Sequence, residues 1–374
     1  MPHSTVISGT GLYTPPFSIS NQELVNSYNA YADAFNEANA EAISAGSIEA
    51  LQHSSTAFIE KASGIQSRYV YVKDGILDIE RMCPRIAERR EDELSHQAEI
   101  AVAAARDAMA AAGKRAADID MVIVSCAYTQ RAYPAIAIEV QQALGIDGSG
   151  FDMLVACSAA TFGLHRAVDA VAAGSARCVL AINPELVTPQ VNFRDRDSHF
   201  IFGDVGTAAI VERAETATAP HRYAVLGTKA MTLFSSNIRS NFGHLSRAHD
   251  VDPFGPDKLF HQNGRKVYKE VCPMAVDHIS EHLKSLNLAV EDVTRWWLHQ
   301  ANINMNAMVI RKLLGREPAG GEAPMVLDRF ANTASAGSII AFNRHHEDLG
   351  AGAVGVICSF GAGYSIGSLV VRKM

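Results

Sequence analysis

The stretch DMLVACSAATFGLHRAV, Asp152–Val168, decides the fold. An apolar run leads straight into a helical pattern in which Leu164, Val168 and Val171 share one face and Gly174 stands where a C-terminal cap belongs. A strand running directly into a helix is the unit of a layered α/β protein. Cys157 sits at the junction. A thiol there meets the positive end of the helix dipole, which favours the thiolate, and neighbouring backbone N–H groups can hold an oxyanion formed from a thioester carbonyl. The alternative is a small buried core thiol, and Cys178, which opens the run CVLAIN, fits that alternative well.

Outward from this unit, short apolar runs alternate with alanine-rich helical stretches. Strands are expected over Thr5–Ser8, Asp120–Ser125, Cys178–Asn183, Ala208–Glu212, Tyr223–Gly227, Arg295–Leu298, Ala353–Cys358 and Ser368–Arg372. Helices are expected over Ser95–Ala112, Ala135–Leu144, Ser158–Ala173, Arg265–Ser285 and Asn304–Leu314. The runs DIDMVIVSC and FGDVGTAAIVER in the first half are echoed by VTRWWLHQ and FGAGYSIGSLVVR in the second, so two related halves are expected, joined near Ala214–Pro220. Asn26–Ser55, rich in Ala, Asn and Glu, reads as helical surface insertion, and the charged Tyr71–Glu93 as a long loop or helical excursion.

Composition narrows the classes. The 374 residues are 48% hydrophobic and 20% charged, enough for a large core, and net charge −7 does not suit nucleic acid or an anionic membrane. Six scattered cysteines show no CxxC or CxxH spacing, so neither a metal site nor a disulfide framework is expected. The start MPHSTVISGTGLYTPP lacks the basic-then-apolar pattern of a secretory signal, and no run is apolar enough to span a membrane. A soluble, reduced, cytoplasmic protein is the expectation.

Other candidates lie at strand ends. His299, after WWL in WLHQANINMN, has an apolar strand as a rigid support. A hydrogen-bonded structural histidine is its ordinary alternative; His53, His221, His345 and His346 sit in polar surroundings and look ordinary. Asn332, in LDRFANTASAGSI, lies among small residues that let backbone approach a ligand, although a lone Asn in a loop is usually a turn residue. Phe360-Gly361-Ala362-Gly363 permits a tight turn and close approach. FGAGYSIG and FGDVGTAA lead into strand rather than helix, so neither is a dinucleotide fingerprint.

Taken in order, the Cys turn, HQAN, the small-residue Asn loop and FGxG resemble the ketoacyl-synthase III family. The likeness runs from GTGLYTP through ASGIQSRY, AYPA, the Cys157 segment and FGD to SFGAGYSIGS. It implies a thiolase-like α/β fold of two related halves, 1–214 with the nucleophile and 215–374 with His and Asn, in a five-layered α-β-α-β-α core. Cys157 would take an acyl group from a primer thioester, and His299 and Asn332 would stabilise the enolate formed as malonyl-acyl carrier protein loses carbon dioxide. The backbone N–H groups of Cys157 and Ala362 would form the oxyanion hole, with Ala362 where the family usually has Gly. Arg196 would contact coenzyme A, Phe360 would flank the channel, Tyr133 would reach a partner subunit's acyl pocket in a homodimer, and Arg311 and Lys312 would dock the carrier protein. No cofactor or metal is implied.

Several positions depart from the family pattern. Phe58 replaces the tryptophan on which the adenine of coenzyme A stacks, Ala62 replaces an arginine of that clamp, Asn304 stands where an arginine usually follows HQAN-x, and Ala331 replaces a glycine. With the insertion at 26–55, these features look most like the branch that condenses octanoyl-CoA with malonyl-acyl carrier protein to give 3-oxodecanoyl-acyl carrier protein. Acetyl-CoA priming, a non-decarboxylating condenser or acyltransferase on the same scaffold, and a non-catalytic partner subunit are the alternatives, the last opposed by the presence of Cys157.

Overall fold

The computed structural model describes residues 3–374. Its main sheet contains β1 (Thr5–Tyr13), β2 (Met121–Cys126), β3 (Ser149–Leu154), β4 (Cys178–Glu185), β5 (Val205–Arg213), β6 (Tyr223–Ser235), β7 (Val293–Leu298), β8 (Val354–Gly361) and β9 (Gly363–Lys373). The order across the sheet is β7-β8-β9-β6-β1-β5-β4-β2-β3. At its centre β1 meets β6 through only two residue pairs, Val6 with Ala224 and Ile7 with Tyr223. On one side of that seam β4 is parallel to β2 and antiparallel to β5, which is antiparallel to β1. On the other, β8 is parallel to β7 and antiparallel to β9, which is antiparallel to β6. One order and one set of directions thus occur twice, with β3 added outside β2.

The principal helices are α1 (Asn21–Ala38), α2 (His96–Ala112), α3 (Ile136–Leu144), α4 (Ala159–Ala173), α5 (Gly264–Ser285), α6 (Ile303–Leu314) and α7 (Gly337–Arg344). Strand side chains alternate between faces, and that alternation sets the layers. Val122 and Val124 pack with α2 and α3, while Ile123 faces α4. Trp296 and Leu298 pack with α5 and α6, while Trp297 meets Phe342 of α7 at a ring separation of 4.8 Å. The layers are therefore α2/α3, half the sheet, α4/α7, the other half, and α5/α6: the five-layered thiolase-like α/β arrangement.

Local chemistry explains the element ends. Ser95 caps α2 by accepting from the Ala98 N–H, and Gly113 and Gly174 end α2 and α4 at φ 65 and 81. β1 runs five residues past its expected end at Ser8, because Gly9 and Gly11 let α2 lie directly on the strand. A Cβ at Gly11 would stand 2.0 Å from the Ala104 carbonyl oxygen. β6 continues past Gly227 to Ser235 because β9 supplies hydrogen-bond partners along its whole length. In the insertion, α1 carries a Ser20/Glu23 capping box, and its asparagines tie down the returning chain: Asn29 donates to the Ser54 carbonyl at 3.1 Å and Asn36 to that of Leu51 at 3.0 Å. Residues 71–93 form neither helix nor strand and are anchored by Arg89, which donates to the Tyr71 hydroxyl and pairs with Glu99. Among the described residues no helix is long and apolar enough to cross a membrane.

Candidate active site

Cys157 lies in a single 3-10 turn, Ala156–Ser158, between β3 and α4. Ala156 holds φ 44 in the left-handed region, so the chain turns sharply just before the thiol. The Ser158 hydroxyl donates to the Ser365 carbonyl at 2.9 Å, fixing the turn against β9. The backbone N–H groups of Ala362 and of Cys157 itself are directed at the sulfur. Gly363, not Ala362, adopts positive φ (129), so an alanine at 362 keeps this donor in place. Burial nevertheless pushes the Cys157 thiol up to about 11, outweighing those donors. A thiol at a helix mouth that favours thiolate is the expectation from sequence; in the structure α4 begins two residues later, and desolvation dominates.

His299 follows the last residue of β7, and its N–H donates to the Cys358 carbonyl of parallel β8 at 2.8 Å. Its ring packs edge-on against Phe360 at 5.5 Å. Burial alone lowers the imidazole to about 4, so it is neutral at physiological pH. The buried Nδ1 has no hydrogen-bond partner among the described residues.

Asn332 is held on every side but one. Its N–H donates to the Ile201 carbonyl at 2.9 Å, its C=O accepts from Gly203 at 3.1 Å, and its Oδ1 accepts from the Ala334 N–H at 3.0 Å. The Nδ2 donors remain. Ala331 and Ala334, on either side, hold φ 58 and 49.

Cys157, His299 and Asn332 line one cavity of about 350 Å³, together with Phe58, Ala62, Phe200, Phe202, Phe260 and Phe360. Residues 142 positions apart in sequence, Cys157 and His299, thus line the same cavity. The other sequence candidates fall around it. The Arg196 guanidinium stacks over the Phe58 ring at 4.1 Å and its Nε donates to the His53 carbonyl at 2.8 Å. Arg311 and Lys312 line an adjacent groove of about 430 Å³ between α5 and α6, and Tyr268 belongs to both the groove and the cavity wall. Tyr133 is 83% exposed and outside the cavity of its own chain.

The departures from the family pattern have local consequences. Asn302 donates to the Ala62 carbonyl at 2.5 Å, and Asn304 reaches the Lys61 and Ala62 carbonyls at 3.4 Å. Neutral amides therefore staple the end of the helix Thr56–Ser63 to the start of α6. Two further residues matter here, the first expected from sequence to allow close approach and the second not anticipated. Gly361 abuts Cys157, and Glu185, a carboxylate closing the buried run CVLAINPE, reaches the Asn332 loop. The signal for the second was a charged residue ending an otherwise apolar strand. No group of three or more metal-ligating side chains occurs among the described residues.

A thiolase-like fold with a cysteine, a neutral imidazole and a carboxamide on one cavity defines the class: a thioester-handling condensing enzyme. Profiles of 3-oxoacyl-[acyl-carrier-protein] synthase III match residues 151–230, and of its C-terminal part residues 283–373. The chain is 57% identical to the beta-ketodecanoyl-[acyl-carrier-protein] synthase of Pseudomonas aeruginosa, over 93% of this chain and all of that one. It is 26% identical to the beta-ketoacyl-[acyl-carrier-protein] synthase III of Granulibacter bethesdensis, over 98% and 99% of the two chains. Solved structures of 3-oxoacyl-[acyl-carrier-protein] synthase III from Aquifex aeolicus (TM-score 0.76, 21% identity, 98% and 99% covered) and Thermus thermophilus (0.73, 23%, 98% of each) share the fold. The chain belongs to the 3-oxoacyl-[acyl-carrier-protein] synthase III family and is an acyltransferase-type condensing enzyme.

Proposed function

We propose that the chain condenses a medium-chain acyl-CoA, octanoyl-CoA, with malonyl-acyl carrier protein to give 3-oxodecanoyl-acyl carrier protein through a Cys157 acyl-enzyme. The supporting observation is that Cys157, His299 and Asn332 share one cavity with the Ala362 N–H aimed at the sulfur. The Cys157 thiol loses its proton as its sulfur attacks the primer carbonyl, and the carbon–sulfur bond to coenzyme A breaks, the departing coenzyme A sulfur taking up a proton to leave as the free thiol. The Cys157 and Ala362 N–H groups hold the passing oxyanion. Malonyl-acyl carrier protein then loses carbon dioxide, and the enolate oxygen takes hydrogen bonds from neutral His299 and the Asn332 carboxamide. The enolate carbon attacks the acyl carbonyl, the carbon–carbon bond forms, and the Cys157 thiolate is released. These steps call for no metal or cofactor.

Phe58 and Arg196 would hold the coenzyme A end of the primer; Ala62 offers no charge to a phosphate. Phe360 would flank the acyl chain's path, and Arg311 and Lys312 the approach of the acidic carrier. The medium-chain assignment draws on the 57% identical relative, named for ketodecanoyl synthesis, and on the phenylalanine-rich cavity wall. We read 1–214 and 215–374 as two related halves, and the protein as a cytoplasmic homodimer. The edge strand β3 exposes Phe151 and Leu154, which a partner copy would cover, and Tyr133 would reach that partner.

Intact-protein mass spectrometry after exposure to acyl-CoAs of increasing length tests this reading. The octanoyl adduct should form about tenfold faster than the acetyl adduct, and none should form on Cys157→Ala. Faster acetyl loading would overturn the primer assignment. Turnover without carbon dioxide release from labelled malonyl donor would favour a non-decarboxylating condenser.

A further inference from the structure

We propose that Glu185 is a positioning residue for the condensation step: its buried carboxylate clamps the turn Ala334–Ala336 and so orients the Asn332 carboxamide toward Cys157. The inference rests on the role given above to Asn332.

Glu185 ends β4 with 1% of its surface exposed. Three donors converge on it. Its Oε2 accepts from the Ala127 N–H at 3.1 Å, and its Oε1 accepts from the Ser335 N–H at 3.2 Å and from the Ser335 hydroxyl. It forms no ion pair among the described residues. A buried carboxylate without a cation is costly, and only an acceptor-only group satisfies donors on both oxygens at once.

Those contacts bear on the reacting side of the cavity. Ser335 follows Ala334, whose N–H engages the Asn332 Oδ1 at 3.0 Å and whose φ of 49 lies in the left-handed region. An alanine keeps that conformation only where neighbours over-determine it, and Glu185 supplies the restraint through Ser335. With Oδ1 held by the turn, Nδ2 is the end of the carboxamide presented to an enolate. If the turn relaxes, the carboxamide can rotate and offer an acceptor where the reaction needs a donor.

A second consequence separates this role from simple packing. When ionised, Glu185 places negative charge near Cys157 and contributes to raising its thiol. The other titratable groups that sense one another here are Asp204, Cys126 and Tyr128, and burial with Asp204 pushes Glu185 itself up to about 7.

The test compares Glu185→Gln, Ser335→Ala, Asn332→Ala and the double variant of 185 and 332. Three readouts apply: Cys157 loading from octanoyl-CoA, carbon dioxide release from malonyl-acyl carrier protein, and iodoacetamide alkylation of Cys157 against pH. Glu185→Gln should slow carbon dioxide release about tenfold or more while loading stays within about threefold of wild type. Ser335→Ala, which removes only a hydroxyl, should follow in the same direction and keeps the test open should the glutamine variant fold poorly. In the double variant, Glu185→Gln should add nothing to the loss caused by Asn332→Ala. The alkylation profile should move to lower pH in Glu185→Gln and stay in place in Ser335→Ala. Parallel losses in loading and condensation, or multiplied losses in the double variant, would overturn the proposal. If Asn332→Ala releases carbon dioxide at the wild-type rate, the role of Asn332 falls and this inference with it. If Glu185→Gln and Ser335→Ala are both silent while Asn332→Ala is not, only this inference falls.

Discussion

Gly361 and Cys157 are packed so closely that a Cβ built on Gly361 would lie 2.5 Å from the cysteine Cβ and 2.9 Å from its sulfur. The glycine is therefore the wall against which the nucleophile rests. Substituting Gly361→Ala should push the thiol out of line with the Ala362 N–H. Loading of Cys157 by acyl-CoA should fall about a hundredfold, with circular dichroism unchanged. Intact-mass kinetics measure it, and wild-type loading would show that the turn absorbs a methyl group freely.

The charge states of the site make a pH prediction. The Cys157 thiol is raised to about 11 and His299 lowered to about 4, both by burial. Above pH 4 the imidazole is neutral, and below pH 11 the thiol stays largely protonated, so no thiolate–imidazolium pair exists near neutrality. Alkylation of the free enzyme should keep climbing through pH 9 and 10, with no plateau between pH 6 and 8. A plateau at neutral pH would contradict this arrangement. His299→Ala should leave the alkylation profile in place while cutting condensation about a hundredfold.

Ala331 holds φ 58 and ψ −161, a region that only glycine occupies without strain. Ala331→Gly should relieve that strain at a smaller cost in unfolded-chain entropy, a net gain of about 1 kcal/mol. Differential scanning calorimetry should show a small rise in Tm. A fall would mean that the neighbouring hydrogen bonds, rather than the alanine, set the conformation.

Arg311 and Lys312 stand on the groove beside the cavity mouth, with Arg311 also 2.5 Å from Glu317. Reversing both charges to glutamate should raise KM for malonyl-acyl carrier protein about tenfold at low salt, and the difference should shrink as salt is added. Acylation from free acyl-CoA should change little. Equal losses with both substrates would remove the groove from carrier docking.

Much of this was legible in the chain. Apolar runs such as MVIVSC and TRWWL mark the strands, and strand ends place Cys157 and His299 at element ends, because these are properties of local sequence; which side chain faces which layer came from the helices packed on either side. Less legible were the lengths of β1 and β6. Glycines at 9 and 11 resemble turn residues until α2 is seen lying on them, and the mixed run TKAMTLFS after Gly227 becomes strand because β9 pairs with it. Asn332 in its small-residue loop reads by itself as an ordinary turn residue and was singled out only by the family resemblance; the structure shows its loop hydrogen-bonded to Ile201 and Gly203.

By itself the sequence determined the alternation of strands and helices and the positions of Cys157 and His299 at the ends of those elements, since short-range pattern is enough to specify them, while Asn332 stood out only through the family resemblance. Only the tertiary structure decided the charge state of the thiol and imidazole, the stacking of Arg196 on Phe58 and the grip of Glu185 on the Asn332 turn. Desolvation and hydrogen bonds between residues 150 positions apart exist only once the two halves of the sheet are closed around the same cavity.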